Sequence, residues 1–188
     1  MSRAYRIRLS ESLRRHIEVD DGICSSLELL DILPREQMAE LLARELAAAG
    51  FEERDEGQWV RVDDEGVVVR VDPKQGTVTV SAASEQDLEL TKTREIRAYA
   101  ENDVVTRERA RADIQASLES EVGEHEKALQ AKVTEKLEGK LGDLRQELDK
   151  ISNRVTGEAL KRKAASLGEV QEISEDPETG SLTIRVKI

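Results

Sequence analysis

Residues 103–155 read DVVTRERARADIQASLESEVGEHEKALQAKVTEKLEGKLGDLRQELDKISNRV, and the architecture turns on this stretch. Asn102 or Asp103 can cap a helix start, and only Gly123 interrupts good helix formers from there to Glu138. Apolar residues recur at Ile114, Leu118, Val122, Leu129, Val133, Leu137 and Leu141, then at Leu144, Leu148, Ile151 and Val155. Most residues between them are charged, polar or small. One narrow apolar seam on a polar helix is a coiled-coil signature, and such a helix is not stable alone. The seam is therefore expected to be an interface covered by another helix. From Leu141 onward the seam steps by 3, 4, 3 and 4, the heptad rhythm, whereas steps of four dominate before it.

Gly139 and Gly142 sit close together in this stretch, and each weakens a helix by about 1 kcal/mol relative to alanine. Two arrangements follow. The chain reverses there, packing 103–138 on 143–167 as a hairpin, or a single rod runs through and pairs with another subunit. The hairpin is the preferred reading.

Upstream, Tyr5, Ile7 and Leu9 alternate with Arg6 and Arg8, the period-two pattern of a half-buried strand. Leu13, Ile17 and Val19 continue less strictly to Asp20-Asp21-Gly22, after which Ile23, Ser25, Leu27 and Leu29 follow. An Asp-Gly pair between alternating runs predicts a hairpin. Pro34 opens a helix whose stripe is Met38, Leu41, Leu42, Leu46 and Ala49, stopped by Gly50 with Phe51 as its apolar partner. Strands are predicted at Trp59–Val62, Val67–Val71 and Thr77–Val80, linked by turns at Asp63–Gly66 and Asp72–Gly76. Residues 86–100 alternate with Lys92 and Arg94 between apolar positions and read as an exposed extension of the sheet.

The tail repeats an earlier phrase. Asp176-Pro177-Glu178-Thr179-Gly180 resembles Asp72-Pro73-Lys74-Gln75-Gly76, and each is followed by a short alternating run. A lone hairpin is marginal in water, so the pair 169–174 and 181–188 is expected to dock on a sheet.

The fold class that results is α+β: a small antiparallel sheet with one packed helix, β-β-β-α-β-β-β, a long helical hairpin or coiled-coil arm, and a C-terminal β-hairpin. The expected domains are a sheet domain at 1–100, the arm at 101–168, and the hairpin at 169–188 completing a sheet.

Composition narrows the function. Of the 188 residues, 37% are charged, and Tyr5, Phe51, Trp59 and Tyr99 are the whole aromatic set, too few to line a pocket for a flat cofactor. No cofactor is expected. The net charge of −11 disfavours nucleic acid, and the N-terminal arginines read as the solvated face of an edge strand. No apolar run approaches the roughly 18–20 residues that span a bilayer. The N-terminus carries no secretory pattern, and Cys24 is the single cysteine, so a cytoplasmic location is expected.

Catalytic and metal motifs are likewise missing. The chain has no G-x-x-x-x-G-K-[ST], no C-x-x-C and no H-E-x-x-H. His16 and Cys24 fall on adjacent strands of the predicted hairpin but lack a third orienting group. His125 has only Glu121 and Glu124 at helical spacing, short of a metal site. Neither catalytic residues nor metal ligands are expected.

The phrases RIRLSESLRRHIEVDDGICSSLELLDILP, AELLARELAAAGFE and ALKRKAASLGEVQEISEDPETGSLTIRVKI resemble small accessory proteins of bacterial ternary systems. Those systems group an FtsH-like AAA+ protease, a von Willebrand factor A protein and a MoxR-type AAA+ ATPase, and are associated with biological conflict such as phage defence. The resemblance implies an accessory adaptor beside ATPases and carries no functional residue. The function expected is a non-enzymatic scaffold or adaptor that binds proteins, AAA+ ATPase or protease components or further copies of itself. The alternative is a chaperone-like or sensor module whose arm clasps a client.

Overall fold

The computed structural model describes residues 5–54, 57–98, 104–175 and 181–187. In chain order the elements are β1 (Tyr5–Ser26), α1 (Arg35–Ala48), β2 (Glu52–Glu53), β3 (Trp59–Val62), β4 (Val68–Asp72), β5 (Thr77–Ala98), α2 (Val104–Leu167), β6 (Glu169–Glu175) and β7 (Leu182–Lys187). The first five strands form one sheet in the order β1-β5-β4-β3-β2, and β6 and β7 form a separate two-stranded sheet. The architecture is α+β, as the patterning indicates.

Two compact units divide the chain, Met1–Asp21 with Ala83–Glu135 and Gly22–Ala82 with Lys136–Ile188. In the first, β1 and β5 run antiparallel: Arg8 lies opposite Glu95, Ser10 opposite Thr93, Arg14 opposite Glu89 and His16 opposite Asp87. One face of this ribbon is apolar and closes on α2. Leu9, Ala110, Ile114 and Leu118 form a buried cluster, with Ile7, Leu13, Leu90 and Ile96 packed around it. The seam of α2 is covered here by a sheet, because period-two and period-3.6 apolar faces bury each other as well as two helices would.

In the second unit the ladders pair Trp59 with Val71, Val71 with Val78, and Val69 with both Arg61 and Val80. Trp59, Arg61, Val69, Val71, Val78 and Val80 therefore share one face, since side chains across an antiparallel ladder point the same way. Leu42 and Leu46 of α1 are fully buried, as is Val155 of α2. Arg154 and Glu45 tie the two helices at 2.8 Å.

Local chemistry explains several boundaries. At the end of α1, Gly50 has φ +82°, the Phe51 N–H donates to Leu46 C=O and the Gly50 N–H to Ala47 C=O. This is the Schellman stop that the sequence predicts. The turn after β3 is organised by Asp63, whose Oδ1 accepts from the N–H groups of Glu65 and Val67. Asp72 does the same for Lys74 and Gln75.

Three expectations are corrected. First, Asp20-Asp21-Gly22 is not a turn, because β1 is a single 22-residue strand. A Cβ at Gly22 would lie 3.2 Å from the Val80 carbonyl oxygen and 3.3 Å from the Ser81 Cβ, so close approach between strands accounts for this glycine. His16 and Cys24 consequently share one strand. Second, β5 runs without a break through 77–98, so the run at 77–80 and the extension from 86 to 98 are one element. Third, α2 passes through Gly139 and Gly142 as part of one 64-residue helix, and the chain does not reverse there. The glycine penalty of about 2 kcal/mol for the pair is outweighed by burial of Leu137, Leu148, Ile151 and Val155 on the same helix.

The C-terminal hairpin forms as expected, with Val170 opposite Val186 and Ile173 opposite Ile184, but it shares no ladder with the larger sheet among the described residues. A Cβ at Gly168 would collide with the Lys187 carbonyl oxygen, so this junction of α2 and β6 has room only for glycine. The Asp176–Gly180 turn, Tyr99 and the Asn102 or Asp103 cap lie outside the described residues. Among the described residues, no helix is long and apolar enough to cross a membrane.

Candidate interaction surface

The α2 seam is the interface that the sequence pattern nominates. Ile114, Leu118, Val122 and Val133 are buried in the first unit, and Leu137, Leu148, Ile151 and Val155 in the second. Leu129 and Leu144 are half-buried. The fully covered positions are buried within the chain itself. Leu144 is only half-buried and lines a groove.

Beside the C-terminal end of β1 lies a groove of about 750 Å³, lined by Ile23, Ser25, Leu27, Val78, Val80, Leu141, Leu144 and Leu148. Its polar rim is Ser26, Glu28, Arg145, Asp149, Ser152 and Asn153. β1 is the outermost strand of its sheet, so the groove runs between a sheet edge and a helix. Ile23 retains 42% of its surface exposed. Glu28, Arg145 and Asp149 form no ion pair with the described residues. A groove with an apolar floor, a free backbone edge and unmatched rim charges is equipped to bind a chain segment.

Other polar clusters are internally satisfied. On the open face of the first unit, the Asp87 carboxylate 2.7 Å from His16 Nδ1 raises the imidazole pKa, with Glu85 adding to it. Lys92 sits 2.7 Å from Glu121 and donates to the Ser117 hydroxyl, and the Glu121 carboxyl is held below its usual range by that ammonium. Glu121, Glu124 and His125 do share a shallow hollow with Lys92. The Lys92 ammonium is already paired with Glu121 there. No group of three or more His, Cys, Asp or Glu among the described residues is placed to hold a metal ion.

In the second unit, Arg61 makes two 2.6 Å bonds to Glu147, donates to Ala49 C=O and lies over the Phe51 ring at 4.5 Å. Its guanidinium holds the Glu147 carboxyl below the usual range. Burial alone would raise the Asp63 pKa, but the Val67 and Glu65 N–H groups and Lys140 together bring it down. Lys140 is in turn raised by Glu65 and Asp63. These are structural pairs that fasten α2 to the sheet and its turns.

Sequence reasoning missed the groove, because it assembles from β1, β5 and α2, which are distant in the chain. One signal is legible: Ile23–Ser26 is the charge-free end of an otherwise charged strand.

No curated protein and no solved structure matches the chain significantly. A family model does, along the full 1–188, and its description agrees with the resemblance carried by the two ends of the sequence: the chain belongs to the FtsH ternary system domain X5 family.

Proposed function

We propose that the chain is a non-catalytic adaptor of an FtsH ternary system, working by contact with protein partners that include AAA+ ATPase or protease components. The observation that carries this reading is that the displaced acids and bases are tied up in ion pairs while an apolar groove lies open beside the outermost strand. The acids and bases with displaced pKa values are each matched by a structural partner: His16 by Asp87, Glu121 by Lys92, Glu147 by Arg61, Lys140 by Glu65. Displaced groups of this kind signal catalysis when they stand unpaired in a cleft, and each of these is held in an ion pair instead. The unmatched charges, Glu28, Arg145 and Asp149, surround an apolar groove at a strand edge, a setting for binding. Family membership supplies the context.

The test is co-expression of the tagged full-length chain with the FtsH-like protease, the von Willebrand factor A protein and the MoxR-type ATPase of the same system. Gel filtration with light scattering is expected to show a stable complex with at least one of them. A chain that elutes alone, binding none of them nor itself, overturns the reading.

A further inference from the structure

We infer that the edge of β1 at Ile23–Ser26 receives an extended segment of a partner protein as an added strand, with apolar side chains on the groove side and a lysine or arginine beside them. The inference rests on the adaptor reading and says where and how the partner is held.

Backbone alternation fixes which groups are offered. The Leu27 N–H donates to Gly76 C=O at 2.7 Å, so Leu27 turns its backbone polar groups toward β5. Residues on an antiparallel strand alternate in this respect, so Cys24 and Ser26 turn N–H and C=O outward to the free edge. Edge strands are normally guarded by charge. β1 carries Arg6, Arg8, Glu11, Arg14, Arg15 and Glu18 along its earlier part and nothing charged from Ile23 to Leu27. The unguarded part is the part that borders the groove.

A strand added there lies about 4.8 Å from β1, and every second side chain points to the side on which Ile23 and Ser25 lie. The helix side of the groove runs from Leu141 to Leu148, two turns or about 10 Å. That length matches about three residues of extended chain at 3.3 Å each, enough for two apolar side chains. Two carboxylates, Glu28 and Asp149, face one guanidinium, Arg145, so the rim favours a basic residue at the end of the segment. A second copy would bring the same acidic rim and a charge of −11, which argues for a different protein.

The test uses the full-length chain and a fluorescein-labelled peptide, Lys-Val-Thr-Leu-Thr-Val-Lys, blocked at its C-terminus and read by anisotropy. Binding is expected for the wild type and for Cys24→Ser. Cys24→Pro removes one outward N–H without touching the β1–β5 ladder, and Ile23→Lys places a charge at an exposed position on the groove. Each is expected to weaken the peptide by at least about tenfold, the scale of one lost hydrogen bond plus a steric or charge clash. Replacing both peptide lysines with glutamate is expected to weaken it as well. Circular dichroism checks that both variants keep their fold, and Ile23→Lys decides the matter if the proline variant does not. No anisotropy change with the wild type, or equal binding by both variants, overturns the inference.

The co-expression experiment separates the two levels. Partners captured equally by wild type, Cys24→Pro and Ile23→Lys would sink the strand-addition site and leave the adaptor reading intact. A wild type that captures no partner would sink the adaptor reading itself. A dimer dissolved by Cys24→Pro would make the occupant a second copy and overturn the proposal as stated.

Discussion

Truncating Leu118 to alanine probes the cover over the α2 seam. Leu118 is 2% exposed and packs with Leu9, Ala110 and Ile114 in the first unit. Leu→Ala at a buried site costs about 2–5 kcal/mol, more where the surroundings cannot collapse into the space. Here half-buried Ile7, Leu13, Leu90 and Ile96 surround the cluster and can relax inward, so the lower part of that range applies, about 2–3.5 kcal/mol. For a chain of this size that is a fall in Tm of about 5–12 °C. The control is Leu167→Ala, at a position 59% exposed, which should stay within about 0.5 kcal/mol of wild type. Urea and thermal unfolding followed by circular dichroism measure both. The same scans across a hundredfold range of concentration, about 1–100 μM, test the geometry, because a seam covered by another chain gives a concentration-dependent midpoint. A loss below about 0.5 kcal/mol for Leu118→Ala, or a midpoint that climbs with concentration and ceases to in the variant, would refute the argument.

Leu148→Asp places an unpaired charge at a position 8% exposed and should cost at least about 3 kcal/mol by urea unfolding. Arg61→Ala removes the Glu147 bonds, the Ala49 carbonyl bond and the Phe51 contact, and should cost about 1.5–3 kcal/mol near neutral pH. Because Arg61 depresses the Glu147 pKa, this contribution is present above the ordinary value of 4.5 and is lost as pH falls through the lower folded value. Unfolding followed as the pH is lowered progressively below 4.5 should therefore show the variant and wild type drawing together. His16, with its pKa raised by Asp87, should titrate above 6.5 by NMR and fall toward it in Asp87→Asn. Its small stabilising effect is complete below the unfolded pKa and vanishes as pH rises through the folded one. Gly168→Ala should loosen the junction of α2 and β6 by about 1–3 kcal/mol, read as faster amide exchange in β6 and β7.

Elements fixed by local chemistry were legible in the sequence: α1 with its Gly50 stop, the Asp63 and Asp72 turns, and the β3, β4 and β6 positions. Those settled by distant partners were not. Asp20-Asp21-Gly22 carries a strong local turn signal, and only the proximity of Val80 and Ser81 reveals why glycine stands there. The Gly139–Gly142 pair looks like a break until the burial of Leu137 and Leu148 on either side is known. The periodicity of the apolar seam states that a face must be covered and not by what. A sheet covers it. The same limit hid the groove, since pattern alone does not bring Ile23 beside Leu144.

Hydrogen exchange on the full-length chain, alone and in complex with the FtsH-system partner it captures, tests the central claim most directly. The account predicts rapid exchange at Cys24 and Ser26 in the free protein, strong protection of both on binding, and no change along α2 from Ile114 to Leu137. New protection along that helix segment, with Cys24 and Ser26 still exchanging freely, would contradict it.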